Sequence, residues 1–262
     1  MTTATRTSPP AVPDGLRLAL TTFTVLPVRA GRVDRSSAAT AMGLAPLVGA
    51  GLGAAAGGTA ALLHAAGAPG LVGGAAGIGL VALLTRGLHL DGLADTVDGL
   101  GSYRSGPAAL EIMKRPDIGP FGVVALVVVL LLQAGSLGGL ASTNAVLAGV
   151  AALATGRLAV TWACRRGVPP ARPDGLGALV AGTVRAPALI LGTLLVGAVA
   201  VPAVPGRPWQ GPLAVAAGLL ASALLVRHAV RRLGGITGDV LGAAVEIATT
   251  VALVVLVSAP KA

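Results

Sequence analysis

Apolar positions run along this chain in long blocks, with no strict alternation to suggest strands. Seven blocks read as membrane helices, at roughly 42–64, 70–86, 119–135, 145–163, 184–203, 212–229 and 239–258, because a span needs about 20 mostly apolar residues. The second and third are short, which leaves six spans as the alternative. Residues 15–28, GLRLALTTFTVLPV, are apolar but too short to cross, and they predict an interfacial helix. Residues 1–14 are rich in Thr and Pro and lack the basic start, apolar run and cleavage site of a signal peptide. They read as a disordered tail, leaving 15–262 as one integral-membrane catalytic domain.

The polar positions fall between these blocks, and their charge alternates. Sixteen of the 19 basic residues lie before the first block or in the connections after the second, fourth and sixth. The connections at 66–70 and 136–144 carry none, and 204–212 carries only Arg207. The positive-inside rule then puts the N-terminus and three long loops in the cytoplasm, and an odd span count puts the C-terminus outside.

Composition supports the same reading. The 262 residues are 54% hydrophobic, with a mean hydropathy of +0.85 and 11% charged residues, against about 25% charged in soluble proteins. This argues against a soluble enzyme, a nucleic-acid binder and a disordered chain. The net charge of +9 is mostly a topology signal, and the lipid bilayer, not nucleic acid, is the expected partner. One cysteine, Cys164, excludes an internal disulfide. The fold class is all-α, a polytopic membrane bundle. Glycines at 49, 53 and 57, and the pairs 70/74 and 73/77, repeat at four-residue spacing, which in lipid means close helix packing. No phosphate-binding glycine loop fits the chain.

The chemistry gathers in the acids, none of which falls in an expected outer loop. Asp91, Asp95 and Asp98 lie in HLDGLADTVDG at i, i+4 and i+7, on one face if helical. Three carboxylates on one face repel unless a cation sits among them, and an all-oxygen set suggests Mg²⁺ with a substrate phosphate. The alternative is a solvated helix face. Lys114 and Arg115 are phosphate contacts or interfacial anchors. Arg157 lies inside the fourth block, near its cytoplasmic end, where it either snorkels to the interface or meets a phosphate or an acid. Arg172 sits in the turn-rich segment PPARPDGLG at 169–177. Asp239 and Glu246 are i and i+7 on the last block; Asp239 also suits a helix cap, and Glu246 a partnership with Arg157. His89 is a candidate base or orienting hydrogen-bond partner, although it faces away from Asp91 on an ideal helix. For His64 and His228 a structural role is expected.

Taken together, these segments resemble the cobalamin synthase family, the adenosylcobinamide-GDP ribazoletransferases. The resemblance rests on HLDGLADTVDGLGS at 89–102 and ALEIMKRPDIGPFGVVAL at 109–126. FTVLPV at 23–28, ARPDGLGALVAG at 171–182 and GGITGDVLGA at 234–243 support it. Many members place the acid before the base where this chain has Lys114-Arg115-Pro116-Asp117, so Arg115 and Asp117 receive no carried-over role.

The resemblance implies a multi-pass enzyme of the cytoplasmic membrane with its active site facing the cytoplasm. It would join adenosylcobinamide-GDP to α-ribazole or its 5′-phosphate, with Mg²⁺ and release of GMP. Asp91 and Asp95 would hold the metal, with Asp98 completing or orienting its shell. From the residues themselves, Arg157, Arg172 and Lys114 are candidate phosphate contacts in the substrate, and Asp239 and Glu246 are candidates to bind a substrate hydroxyl or a second cation. Self-association, or association with other cobalamin-assembly enzymes, is a further expectation. Two rivals stand beside this reading. A CDP-alcohol phosphotransferase would need an Ala-Arg after Asp95-Thr96-Val97-Asp98-Gly99 and a second acid pair, and neither is present. A cation-coupled transporter would need acids at mid-membrane and an internal repeat.

Overall fold

The computed structural model describes residues 12–29, 31–141 and 144–258, so residues 1–11 of the expected tail lie outside it. Among the described residues the chain forms α1 (Val12–Phe23), α2 (Arg35–Ala65), α3 (Gly70–Leu84), α4 (Leu88–Gly101), α5 (Pro107–Ile112), α6 (Pro120–Gly139), α7 (Ala145–Ala163), α8 (Gly175–Val180), α9 (Ala186–Ala200), α10 (Gln210–Leu233) and α11 (Gly238–Val257). A 3₁₀ turn, Val201–Ala203, extends α9. The only extended pairings among these residues are isolated bridges, Arg165 with Val184 and Pro170 with Ile236. The expected all-helical membrane bundle is what the chain forms.

Six helices are long and apolar enough to cross a membrane: α2, α6, α7, α9 with its 3₁₀ turn, α10 and α11. The expected second span is α3, only 15 residues long, followed after a 91° bend by α4. The bend has a local cause. Arg86 and Gly87 take left-handed backbone, φ 53° and 66°, so the α3 helix cannot continue. The first span also starts earlier than its apolar block. Asp34 caps α2 by accepting from the backbone N–H groups of Ser36 and Ser37, at 3.0 and 2.8 Å, while the Ser37 hydroxyl accepts from the Asp34 N–H at 2.9 Å. This reciprocal cap carries the helix back to Arg35 through polar residues. The interfacial helix expected over 15–28 is α1, which ends at Phe23 and docks Ala19 and Phe23 into the core.

The glycine repeats do the packing expected of them. A Cβ on Gly49, Gly53 or Gly57 would run into the α7 backbone at Leu153, Gly149 and Ala145 respectively. The two helices therefore run antiparallel, backbone against backbone. The repeats on α3 serve two neighbours: Gly70 and Gly74 lie on the α6 backbone, Gly73 and Gly77 on α2. The α7 and α11 helices form the centre, with 78% and 72% of their apolar stretches buried, whereas α9 buries 22% and lies at the periphery.

The basic segments meet at one end of the bundle. The Arg35 guanidinium donates to the carbonyls of Ala178 and Ala181, at 2.6 and 2.7 Å, and so ties the start of α2 to the end of α8. Gly106 donates to the Arg232 carbonyl at 2.7 Å, and the Arg232 side chain donates back to Arg104. Ile236 donates to Pro169 at 2.9 Å and Ala171 to Ile236 at 3.0 Å, which pairs the 169–172 segment with the turn before α11.

Candidate active site

Two glycines bring the acids together. A Cβ on Gly92 of α4 would lie 2.8 Å from the Asp239 carbonyl oxygen, and one on Gly242 of α11 would lie 3.2 Å from the His89 backbone. The two helices thus cross in backbone contact, α4 lying over the first turns of α11. This sets Asp91 and Asp95 beside Asp239. The Thr237 hydroxyl caps α11 by accepting from Val240 N–H and donates to the Asp239 carboxylate, each at 3.2 Å. The paired segment at 169–172 brings Arg172 to the same place, and its Nη2 is anchored on the Leu110 carbonyl at 2.8 Å.

A cavity of about 320 Å³ opens at this crossing. Asp91, Asp239, Arg172 and Asp174 line its polar side; Phe23, Met42, Val160 and Leu241 line its apolar side. His89 forms part of the wall, its ring stacked on Phe23 with centroids 5.9 Å apart and planes 8° from parallel.

The electrostatics are those of crowded like charges. The first half of α4 packs on the first turn of α11 and Asp98 reaches the first turn of α6, so Asp95 lies outside the six long spanning helices. Burial, and then the neighbouring carboxylates of Asp91, Asp239 and Asp98, push Asp95 up to about 6, opposed by Arg172. No three His, Cys, Asp or Glu side chains among the described residues converge into a ready-made cage. A hard cation that uses one or two carboxylates together with water and a substrate phosphate needs no such cage. The crowded oxygen donors Asp91, Asp95 and Asp239 fit that kind of ion.

The expected site residues divide into those at the cavity and those elsewhere. Asp91, His89, Arg172 and Asp239 line it, and Asp95 stands one helical turn behind Asp91. Asp98 is engaged differently: its carboxylate accepts from the backbone N–H groups of Gly119 and Gly122, at 2.8 and 2.9 Å, at the start of α6. Lys114 pairs with Glu111 at 3.0 Å on the surface. Arg157 is 1% exposed inside the bundle, with Nε and Nη2 lacking a hydrogen-bond partner among the described residues. Glu246 is buried and accepts from the Gln133 amide at 2.7 Å, not from Arg157.

Sequence reasoning missed two contributions. Phe23 and Thr22 come to the cavity from α1, which the pattern marked only as interfacial. Gln133, the one amide within an apolar block, joins α6 to α11 through Glu246 and through the Thr250 hydroxyl at 2.9 Å. A lone polar residue inside a span was the available signal.

Comparison with known proteins bears on the same residues. The family model for cobalamin-5-phosphate synthase matches residues 15–257. The chain is 46% identical to an adenosylcobinamide-GDP ribazoletransferase of Frankia casuarinae over 92% of its length and 93% of the relative's. It is 43% identical to one of a Nocardioides species, over 92% and 96%, and 35% identical to one of Corynebacterium efficiens, over 94% and 91%. No solved structure gives a significant match. The family match takes in every residue that lines the cavity, and the chain belongs to the cobalamin-5-phosphate synthase family.

Proposed function

We propose that this chain is an adenosylcobinamide-GDP ribazoletransferase, joining adenosylcobinamide-GDP to α-ribazole or its 5′-phosphate at the cavity between α4 and α11. One observation carries the assignment of the site: Asp91 and Asp239 face one cavity beside Arg172, within a family match that covers nearly the whole chain. The reaction exchanges one P–O bond for another. A ribose hydroxyl oxygen of α-ribazole attacks the cobinamide-side phosphorus, the bond to the GMP phosphate breaks, GMP leaves, and the hydroxyl proton is released.

The residues divide the work. Asp91, with either Asp95 or Asp239, would hold Mg²⁺, and a bound cation of this kind neutralises charge on transferring phosphates. Arg172 keeps Nη2 on the Leu110 carbonyl and has Nε buried without a partner among the described residues, so its charge is fixed beside the acids and available to a phosphate. The glycine contact at Gly92 and Gly242 keeps the two acid-bearing helices in register.

The site lies at the basic end of the bundle, where Arg35, Arg104 and Arg232 tie the loops together. By the positive-inside rule this end faces the cytoplasm, in the cell's inner membrane. Purified membranes carrying the chain, supplied with adenosylcobinamide-GDP, α-ribazole and Mg²⁺, should release GMP and form the cobalamin product. Well-inserted protein that forms neither would overturn the proposal.

A further inference from the structure

Resting on the function proposed above, we infer that the cavity between α4 and α11 seats the nucleoside acceptor α-ribazole, its bicyclic base against Phe23, Met42 and Val160 and its ribose towards Asp91, while the corrinoid stays outside the cavity mouth. Size is the first argument. A volume of about 320 Å³ is at the small end of the range of roughly 300–1,000 Å³ for small-molecule pockets. It suits a single nucleoside and is far too small for a corrin macrocycle carrying a nucleotide. The larger groove of the molecule, about 880 Å³ between α2 and α9, is lined by none of the acids.

Wall chemistry is the second argument. The chain has five aromatic residues in all. One of them, Phe23, is stacked flat on His89 in this wall, continuing a surface formed by Met42 and Val160. Such a wall matches the face of a methylated benzimidazole, which is apolar and planar. The polar end is equally specific. His89 is 4% exposed, and neither ring nitrogen has a hydrogen-bond partner among the described residues. A buried polar group is normally satisfied. An imidazole that offers one donor and one acceptor suits a ribose hydroxyl, and His89 lines the same cavity as the apolar wall and Asp91.

Two variants test the placement. Val160→Phe narrows the apolar part and should raise the KM for α-ribazole at least tenfold while leaving the KM for adenosylcobinamide-GDP within twofold. Because Val160 is in the core, Thr22→Cys at the half-buried edge provides a readout that does not depend on repacking. The native Cys164 is fully buried, so a maleimide should report position 22 alone. In the absence of corrinoid, α-ribazole should slow that labelling at least fivefold, and adenosylcobinamide-GDP should not. Protection by the corrinoid substrate instead, or by neither, overturns the inference, as does a rise confined to the corrinoid KM. Labelling needs no turnover. Normal turnover without α-ribazole protection therefore defeats the placement alone, and absent turnover in well-inserted wild-type protein defeats the function.

Discussion

The Asp98 carboxylate accepts a hydrogen bond from the Gly122 backbone N–H at 2.9 Å, and position 122 must be glycine for it to do so. A Cβ there would collide with the same carboxylate and with Ala94. With Gly119 donating to the other oxygen, Asp98 serves as a remote cap that pins α4 to the start of α6. Asp98→Ala should leave two N–H groups without their acceptor, at about 1–3 kcal/mol each, and lower the melting temperature in detergent. Asp98→Asn keeps one acceptor oxygen and should retain activity within about tenfold, which corresponds to roughly 1.4 kcal/mol. A far larger loss in Asp98→Asn with an unchanged melting temperature would assign Asp98 to the chemistry.

The contact between α2 and α7 gives a paired test on one helix. Gly53 lies on the Gly149 carbonyl, whereas a Cβ on Gly51 would meet nothing within 4 Å. Gly53→Ala should therefore cost about 1–3 kcal/mol by overpacking, and Gly53→Leu should abolish the yield of folded protein. Gly51→Leu should be tolerated. Thermal denaturation of the three variants in one detergent checks this.

Gln133 is the buried partner of the Glu246 carboxylate. Gln133→Leu removes the donor and keeps the volume, leaving the buried Glu246 carboxylate without that hydrogen bond and with only the charge of Arg157 to favour it. The expected cost is about 1–3 kcal/mol or more, read as a lowered melting temperature. The double variant Gln133→Leu/Glu246→Leu should not recover it, because removing Glu246 takes the counter-charge from the buried Arg157.

The cap on α2 predicts a pH dependence. Hydrogen bonds, led by that from the Ser37 backbone N–H, hold the Asp34 carboxyl below its ordinary value. A carboxylate depressed in the folded state stabilises fully above its unfolded value, about 3.9, and loses that contribution as pH falls through the lower folded value. Asp34→Asn should flatten the acid side of the stability profile below about pH 4 and leave stability near neutrality little changed. An identical acid limb in the variant would remove Asp34 from the account.

The bundle and its basic end were legible because lipid allows few exceptions. Each apolar block became a helix, and the glycine spacing foretold which faces would meet. The departures are local. Arg86 and Gly87 turn the chain by backbone conformation, which hydropathy does not register, so α4 left the line of α3. The acids at 91, 95 and 98 were found by spacing alone. Spacing could not tell that Asp98 would turn to the α6 N-terminus, because its partners are backbone groups more than twenty residues away. Arg157 and Glu246 read as partners because each is a lone charge in a span; their charges do favour one another, but the carboxylate's hydrogen bond comes from Gln133, and no salt bridge joins the two among the described residues. Phe23 came from a segment with no chemistry of its own, and only tertiary packing of α1 brought it to the cavity.

The most direct test of the central claim is single-turnover GMP release from adenosylcobinamide-GDP in membranes, comparing the wild type with Asp91→Asn at equal insertion. Asp91 lines the cavity, and no hydrogen bond or ion pair among the described residues ties its carboxylate into the fold. The account predicts GMP and cobalamin product in equal amounts from the wild type, a loss of at least a hundredfold in Asp91→Asn, and no fall in melting temperature, since the substitution only relieves repulsion among the acids. Near-normal GMP release from the variant, or none from well-inserted wild type, would contradict it.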